Sequence, residues 1–374
     1  MKAITPKQIK NTNRQLIYNL IYKKKKISQQ EISYSLRLSR PTVTTNLNEL
    51  EETGLICKNG LIDSDLIGRK AAAYSIVPDY RIGIGVELSR RVVKIMAIDL
   101  YGMKIDRIVV EYRYTNNDEY YQYVCSRINE FIDSLHFDKE RILGIGIAVQ
   151  GLVSPDHTRV VYGKILGCTD LELTAFTRYL DYPCQFIHDA KSAATCERWF
   201  TPELDSAFYL HMSYHFGAAI IRNGVVINGK HGHNSTVEHI VLDPNGPLCY
   251  CGKHGCAETY CSLRALLQGE EEEDFFRAYK AGDPDKIARW YCMLDHLASL
   301  ITSLHLVYDT DFVLSGYLAA YITEQDFQYL YDRIREQTPF EEEPDFLRLG
   351  KMPKHSITVG AALPYIRKFL DVLE

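Results

Sequence analysis

Three of this chain's ten cysteines fall inside one short stretch, Cys249-Tyr250-Cys251-Gly252-Lys253-His254-Gly255-Cys256, and no other feature limits the fold as tightly. A Cys-x-Cys pair with a third cysteine beyond two glycines can wrap a tetrahedral ion, because the glycines permit the turns that bring three thiolates together. Three reduced structural thiols, or a local disulfide with one thiol left over, are rival readings of the same residues. The amino-terminal ten residues carry lysines without the apolar run of a secretory signal. No stretch of 18 apolar residues follows either, so a cytoplasmic, non-membrane protein is expected. In that compartment clustered cysteines point to metal before disulfide.

At 374 residues the chain is long enough for two or three units, each with its own core. Its 46% apolar and 24% charged composition excludes a largely disordered polymer. Charge divides the chain unequally. Residues 1–79 hold 13 Lys and Arg against 7 Asp and Glu, and residues 80–374 hold 30 against 41. A basic head on an acidic body reads as a nucleic-acid module joined to a domain with another task.

In the head, Leu16, Ile17, Leu20 and Ile21 recur at helical spacing within 14–22, and Lys23 to Lys26 close that helix. Ser28-Gln29-Gln30-Glu31 is a capping box that opens a short second helix carrying Ile32 and Leu36. Ser39 caps a third helix with Pro41 in its first turn and Val43, Leu47 and Leu50 turned inward. The outward face is then Arg40, Thr42, Thr44, Thr45 and Asn46, which with Ser39 can donate to phosphates and base edges in a major groove. Segments 55–58 and 74–77 are expected to pair as a wing around a loop ending Gly68-Arg69-Lys70. A protein-interaction module with solvated charge is the plainer reading. Caps, wing and charge agree independently on DNA.

From Tyr80 the pattern becomes β-rich, with strands expected at 82–88, 92–100, 105–112 and 142–149 and a helix over 120–135. A second half repeats the style with strands at 207–212, 217–221 and 225–227, then helices. Such alternation argues for sheets covered by helices, an α/β body behind an α+β head.

Leu38-Ser39-Arg40-Pro41-Thr42-Val43-Thr44, Leu50-Glu51-Glu52-Thr53-Gly54-Leu55-Ile56 and Gly68-Arg69-Lys70 resemble the winged helix-turn-helix of transcriptional regulators in the ROK (repressor, open reading frame, kinase) family. Residues 249–258 carry that family's CxCGxxGCxE signature complete, ending at Glu258. The resemblance implies a two-lobed actin-like ATPase body over 80–374. It also implies structural Zn²⁺ on His239, Cys249, Cys251 and Cys256, and a minor-groove role for Arg69 and Lys70. His231, His233 and His254 are then surface or pocket residues, not ligands.

Family kinases hold ATP on a DxGGT hairpin and a second glycine-rich turn. Here these read Glu87-Leu88-Ser89-Arg90-Arg91 and Ser213-Tyr214-His215-Phe216-Gly217, so side chains fill the space that phosphates need, and neither ATP binding nor sugar kinase activity is expected. The catalytic base of the kinases aligns with Asp189 in His188-Asp189-Ala190. Their sugar ligands align with Asp189, His239 and Glu258, while His188 and Thr236 replace an Asn and a Glu. By resemblance the chain is a repressor of carbohydrate-related genes, binding a double-stranded operator as a homodimer or homotetramer, with a small sugar in the set His188, Asp189, Thr236, His239 and Glu258. An active kinase with an added head, and a scaffold with a dead pocket, are the alternatives.

Overall fold

Local capping sets the architecture of the head. The computed structural model describes residues 6–62, 71–340, 345–352 and 354–372. Helix α1 (Pro6–Lys24) leads through the short strand β1 (Ile27–Ser28) to α2 (Gln29–Leu36), where the Ser28 hydroxyl accepts from the Glu31 amide and the Glu31 carboxylate accepts from the Ser28 amide at 2.8 Å. Ser39 caps α3 (Arg40–Glu52), with Pro41 in the first turn, where a missing N–H costs nothing. Strands β2 (Ile56–Ile62) and β3 (Ala71–Ile76) pair antiparallel as the wing, and β1 adds to β3.

Two details of the head depart from the periodicity reading. Helix α1 begins at Pro6 rather than Arg14, and its residues Gln8 to Thr12 are exposed, so no apolar period marks them. Its buried stripe is Ile17, Tyr18 and Ile21, while Leu16 is exposed.

The body consists of two sheets wound alike. Strands β4 (Ile82–Leu88), β5 (Val92–Ile98) and β6 (Lys104–Glu111) form a meander, α4 (Asp118–Ser134) crosses over, and β7 (Ile142–Val149) returns parallel to β4. A small sheet of β8 (Leu152–Val153), β9 (Arg159–Tyr162) and β10 (Leu171–Glu172) and the turn α5 (Thr174–Thr177) precede β11 (Cys184–His188). Helix α6 (Asp189–Phe200) then leads to the second lobe.

There β12 (Ala207–Met212), β13 (Phe216–Arg222) and β14 (Val225–Val226) form the second meander. Helices α7 (Glu258–Cys261), α8 (Leu263–Leu267), α9 (Glu272–Lys280) and α10 (Pro284–Val307) cover it. Strand β15 (Asp311–Ser315), α11 (Glu324–Gln337), β16 (Leu347–Leu349) and α12 (Ser356–Val372) complete the chain. The sheets order as β6-β5-β4-β7-β11 and β14-β13-β12-β15-β16, so each half runs third, second, first, fourth, fifth.

Helices α6 and α12 lie against each other, α12 on strands β4 and β7 of the first sheet and α6 mainly on β13 and β12 of the second. A Cβ at Gly146 would stand 1.8 Å from the Ala361 carbonyl oxygen, so this glycine of the β7 run serves helix-to-sheet contact. The head joins the same layer. Ile17, Ile21, Ile32, Val43 and Leu47 are continuous with Met96, Ile98, Leu100, Leu363 and Ile366 in one apolar cluster. At the seam the Tyr22 hydroxyl donates to the Leu100 carbonyl at 3.0 Å, the Tyr22 ring stacks on Tyr101 at 4.9 Å, and the Trp199 indole N–H donates to the Tyr101 carbonyl at 2.8 Å.

Candidate functional site

The exposed face of α3 is polar and already partly ordered. Arg40, Thr44 and Thr45 are exposed, and Arg40 makes no ion pair among the described residues. Thr44 Oγ1 donates to the Arg40 carbonyl at 2.8 Å and accepts from Gln29 Nε2 at 2.6 Å, which ties α2 to the start of α3. Ser39 Oγ and Thr42 Oγ1 lie 2.8 Å apart, so this pair is half spent on the cap.

Asn46 does not belong to this face: it is 2% exposed and donates to the Thr42 carbonyl at 2.8 Å. It sits one turn from Val43 and Leu50 on the inward stripe, where a polar side chain is legible only by its helical angle. Asn48, one turn after Thr44, is exposed in its place and was findable by the same i, i+4 spacing. Arg69 and Lys70 lie outside the described residues.

The cysteine loop brings its donors together with His239. One ligand atom from each of His239, Cys249, Cys251 and Cys256 lies within 4.8 Å of the others. Cys251 Sγ to Cys256 Sγ and Cys249 Sγ to His239 Nδ1 are both 3.7 Å. Those spacings suit a tetrahedron with metal–sulfur bonds of about 2.3 Å, whose edges are about 3.8 Å. They exceed a disulfide bond of about 2.05 Å, and all three cysteines are free thiols.

Gly252 and Gly255 adopt φ of 88° and 66°, and a Cβ on Gly255 would fall on the Asp243 carbonyl oxygen at 1.5 Å, so the glycines are required by geometry. Backbone bonds from Leu242 N to the Gly255 carbonyl and from Ala257 N to the Ile240 carbonyl, both 2.8 Å, lash the His239 segment to the loop. Burial lowers the His239 pKa, which keeps the ring in the neutral form that ligates. His231, His233 and His254 stand outside this group.

Beside the loop lies a small cavity walled by Gln150, Tyr162, His188, Asp189, Thr236, Glu238 and His239, among others. Its volume is about 40 Å³. Strand β11 delivers His188 and the first residue of α6 is Asp189.

Burial, with the Glu87 carboxylate as a smaller contributor, raises Asp189 to about 7, while burial, Lys191 and His211 lower His188 to about 3. At 3.4 Å the two side chains are within ion-pair range. The environment nevertheless disfavours charge on both, so the pair is a neutral imidazole beside a half-protonated carboxyl.

Glu258 does not line the cavity. It is 1% exposed, its carboxylate accepting from the Phe216 amide and contacting His215 Nδ1, each at 2.7 Å. The histidine in the former phosphate turn covers the carboxylate, and His215 itself takes the wall position. Glu238 is the wall residue the sequence reading passed over: its Oε2 is buried without a hydrogen-bond partner, and burial raises its pKa to about 8.

A wider cleft of about 690 Å³ adjoins this cavity through Gln150, Ile165, Asp189, His211 and His215. Ser89 Oγ donates to the Val92 carbonyl at 2.8 Å and the Arg90 guanidinium reaches the Ile165 carbonyl at 2.8 Å. Ser89 thus bonds within the hairpin and Arg90 reaches from it to the Ile165 segment, both on the wall of this cleft.

Comparison with known proteins follows these regions. A winged helix-turn-helix DNA-binding model matches residues 10–56 and a ROK family model matches residues 84–341. The chain is 29% identical over 269 residues to the DNA-binding transcriptional dual regulator NagC of Escherichia coli strain K12, covering 70% of this chain and 64% of that regulator. It is 26% identical over 285 residues to the xylose repressor of Bacillus subtilis strain 168, covering 73% of this chain and 71% of that repressor. In fold it resembles a crystal structure of a ROK family transcriptional regulator, homolog of the E. coli MLC protein, with TM-score 0.76, 23% identity and 98% of each chain covered. The second meander, nearly all of the first and the cysteine loop lie inside the ROK span, which is well over half of the sequence, so the chain belongs to the ROK family.

Proposed function

We propose that this chain is a DNA-binding transcriptional repressor of carbohydrate-related genes, with a kinase-like body acting as sugar sensor and symmetric assembly platform. The observation that carries the reading is the exposed Arg40, Thr44, Thr45 and Asn48 face on a head packed into the body's own apolar cluster. A winged helix reads a short half-site, so a homodimer or homotetramer on a roughly palindromic double-stranded operator is the matching assembly. Arg69 and Lys70 follow the wing and supply the minor-groove contact. The protein works beside DNA in the cytoplasm. That two relatives are a transcriptional dual regulator and a xylose repressor supports the same reading.

In the body, Zn²⁺ on His239, Cys249, Cys251 and Cys256 would neutralise three thiolates and fix the loop whose histidine also walls the cavity. Sugar hydroxyls are taken by His188, Asp189, Thr236 and Glu238, with Glu258 holding His215 in place. Helix α6, about 18 Å long, starts at Asp189 and ends beside Trp199, whose indole reaches the Tyr101 turn on which Tyr22 stacks. Parting the lobes at Asp189 therefore pulls on the seam that aims α3. A sugar shifts DNA affinity only by its differential affinity for the two arrangements.

The deciding experiment is fluorescence anisotropy with DNA from upstream of the chain's own gene, at near-physiological salt, across a panel of sugars and sugar phosphates. A specific complex altered by one sugar is expected. A complex indifferent to every sugar would reduce the body to a scaffold. One observation favours a kinase instead: Asp189 is kept and is raised toward 7, the range of a working general base. Sugar-dependent ADP production would establish that reading, and none is expected with Ser89 and Arg90 standing in place of the hairpin's glycines.

A further inference from the structure

A second cavity, of about 170 Å³, has His188 in common with the sugar cavity and is otherwise distinct, with Ser154, His157, Gln185, Lys191 and Asn228 in its wall. Lys191 is the one lysine or arginine lining it, and no aspartate or glutamate does. The lysine is 8% exposed, and its ammonium donates to Asn228 Oδ1 and Asn234 Oδ1, each at 2.9 Å. Both acceptors are neutral amides. Among the described residues no carboxylate pairs with it, and one of its three N–H groups is left uncommitted.

A buried ammonium is costly without a counter-charge, and proteins ordinarily supply one. Here burial alone lowers the lysine to about 8, with no neighbouring anion raising it again. The imidazole shared by the two cavities adds a second unmet group, since His188 Nδ1 is buried without a partner. The protein therefore builds a roomy cavity around an unpaired positive charge and keeps its own acids out of it.

We infer that this cavity receives the oxyanion of a small ligand, a phosphate or a carboxylate, with the Lys191 ammonium as its counter-charge. Two amide oxygens hold Nζ in place from one side, leaving its third N–H for the anion, and Gln185 offers a neutral donor on the wall. Through His188 the oxyanion site adjoins the proposed sugar cavity, so the ligand class is an acidic sugar, either a phosphate ester or a sugar acid. Only that last step rests on the sugar-sensing reading. The oxyanion site is tested without DNA and without a sugar, so the two can fail separately.

The test is titration calorimetry of the full metal-loaded chain with inorganic phosphate and, separately, with acetate, at constant chloride. At least one of the two should bind. Lys191→Met should weaken that binding about tenfold or more, while Lys191→Arg keeps it within about threefold. Gln185→Glu places a fixed negative charge on the wall with Lys191 intact and should weaken it about tenfold as well, so the result does not depend on the lysine variant folding. Preference for phosphate assigns a phosphate ester, and preference for acetate assigns a sugar acid. No binding of either ion to the unaltered chain, or unchanged binding in both Lys191→Met and Gln185→Glu, overturns the assignment.

Discussion

The head and the body expose their chemistry in opposite ways. The proposed DNA face comes from one helix, from residues three or four apart, open to solvent and supported by its own caps. The proposed ligand cavity draws on β11, α6, the β12–β13 turn and the segment from Thr236 to Tyr250, residues as much as 100 positions apart between Gln150 and Tyr250. The head therefore tolerates change one residue at a time, whereas in the body a single loss is felt by neighbours from several segments. Group burial makes the difference: an exposed donor left unpaired is served by water, and a buried one is not.

Variants can break or sharpen that contrast. The largest effect belongs to the loop: Cys256→Ser should abolish stoichiometric zinc binding and, since structural Zn²⁺ contributes on the order of 10 kcal/mol, unfold residues 239–258. Metal analysis with limited proteolysis reads both, and retention of one equivalent of tightly held zinc would remove the Cys₃His assignment.

Next comes Asp189. Its folded pKa of about 7 lies above the ordinary value of 3.8, so the folded state binds protons more tightly there than the unfolded state does. Stability from this group is full below about pH 4 and is lost as pH rises toward 7. Asp189→Asn should therefore flatten the stability decline between pH 4 and 7, by up to about 4 kcal/mol for a shift of this size, in urea unfolding at several pH values. It should also weaken sugar binding in the anisotropy panel.

In the head, Arg40→Ala should cost about 1–3 kcal/mol of operator affinity with thermal unfolding unchanged, because the residue is exposed and makes no ion pair among the described residues. Unchanged affinity would remove α3 as the reading helix. The smallest effect tests the seam between the regions. Tyr22→Phe deletes one hydrogen bond to Leu100 while keeping the stack on Tyr101, so about 1 kcal/mol of stability is expected to go. If the seam transmits the ligand signal, the sugar response should shrink more than operator affinity does, by the same anisotropy assay.

Legibility in the sequence followed the range of the interactions. Strands 82–88 and 142–149 were readable to the residue, because runs of β-branched and aliphatic side chains mark both ends. The caps at Ser28 and Ser39 were equally plain, since each needs only a hydroxyl and the next turn's amides. The front of α1 was not readable, being helical without a buried face. Asn46 was placed on the wrong side because its chemistry suited the outer face while its angle put it on the inner one.

The cysteine cluster shows the boundary between the two kinds of information. Sequence by itself determined the loop's cysteines, its glycine turns, the winged head and the side chains that replace glycines in the Glu87–Arg91 turn, because each depends on residues close together in the chain. Tertiary structure alone decided that Glu258 holds His215 instead of lining the cavity, that Glu238 and His188 line it and each keep a buried atom without a hydrogen-bond partner among the described residues, and that Lys191 is buried with no carboxylate partner among them. Those outcomes depend on which distant segments exclude water around a group, and exclusion of water is a property of the packed body, not of any one stretch of chain.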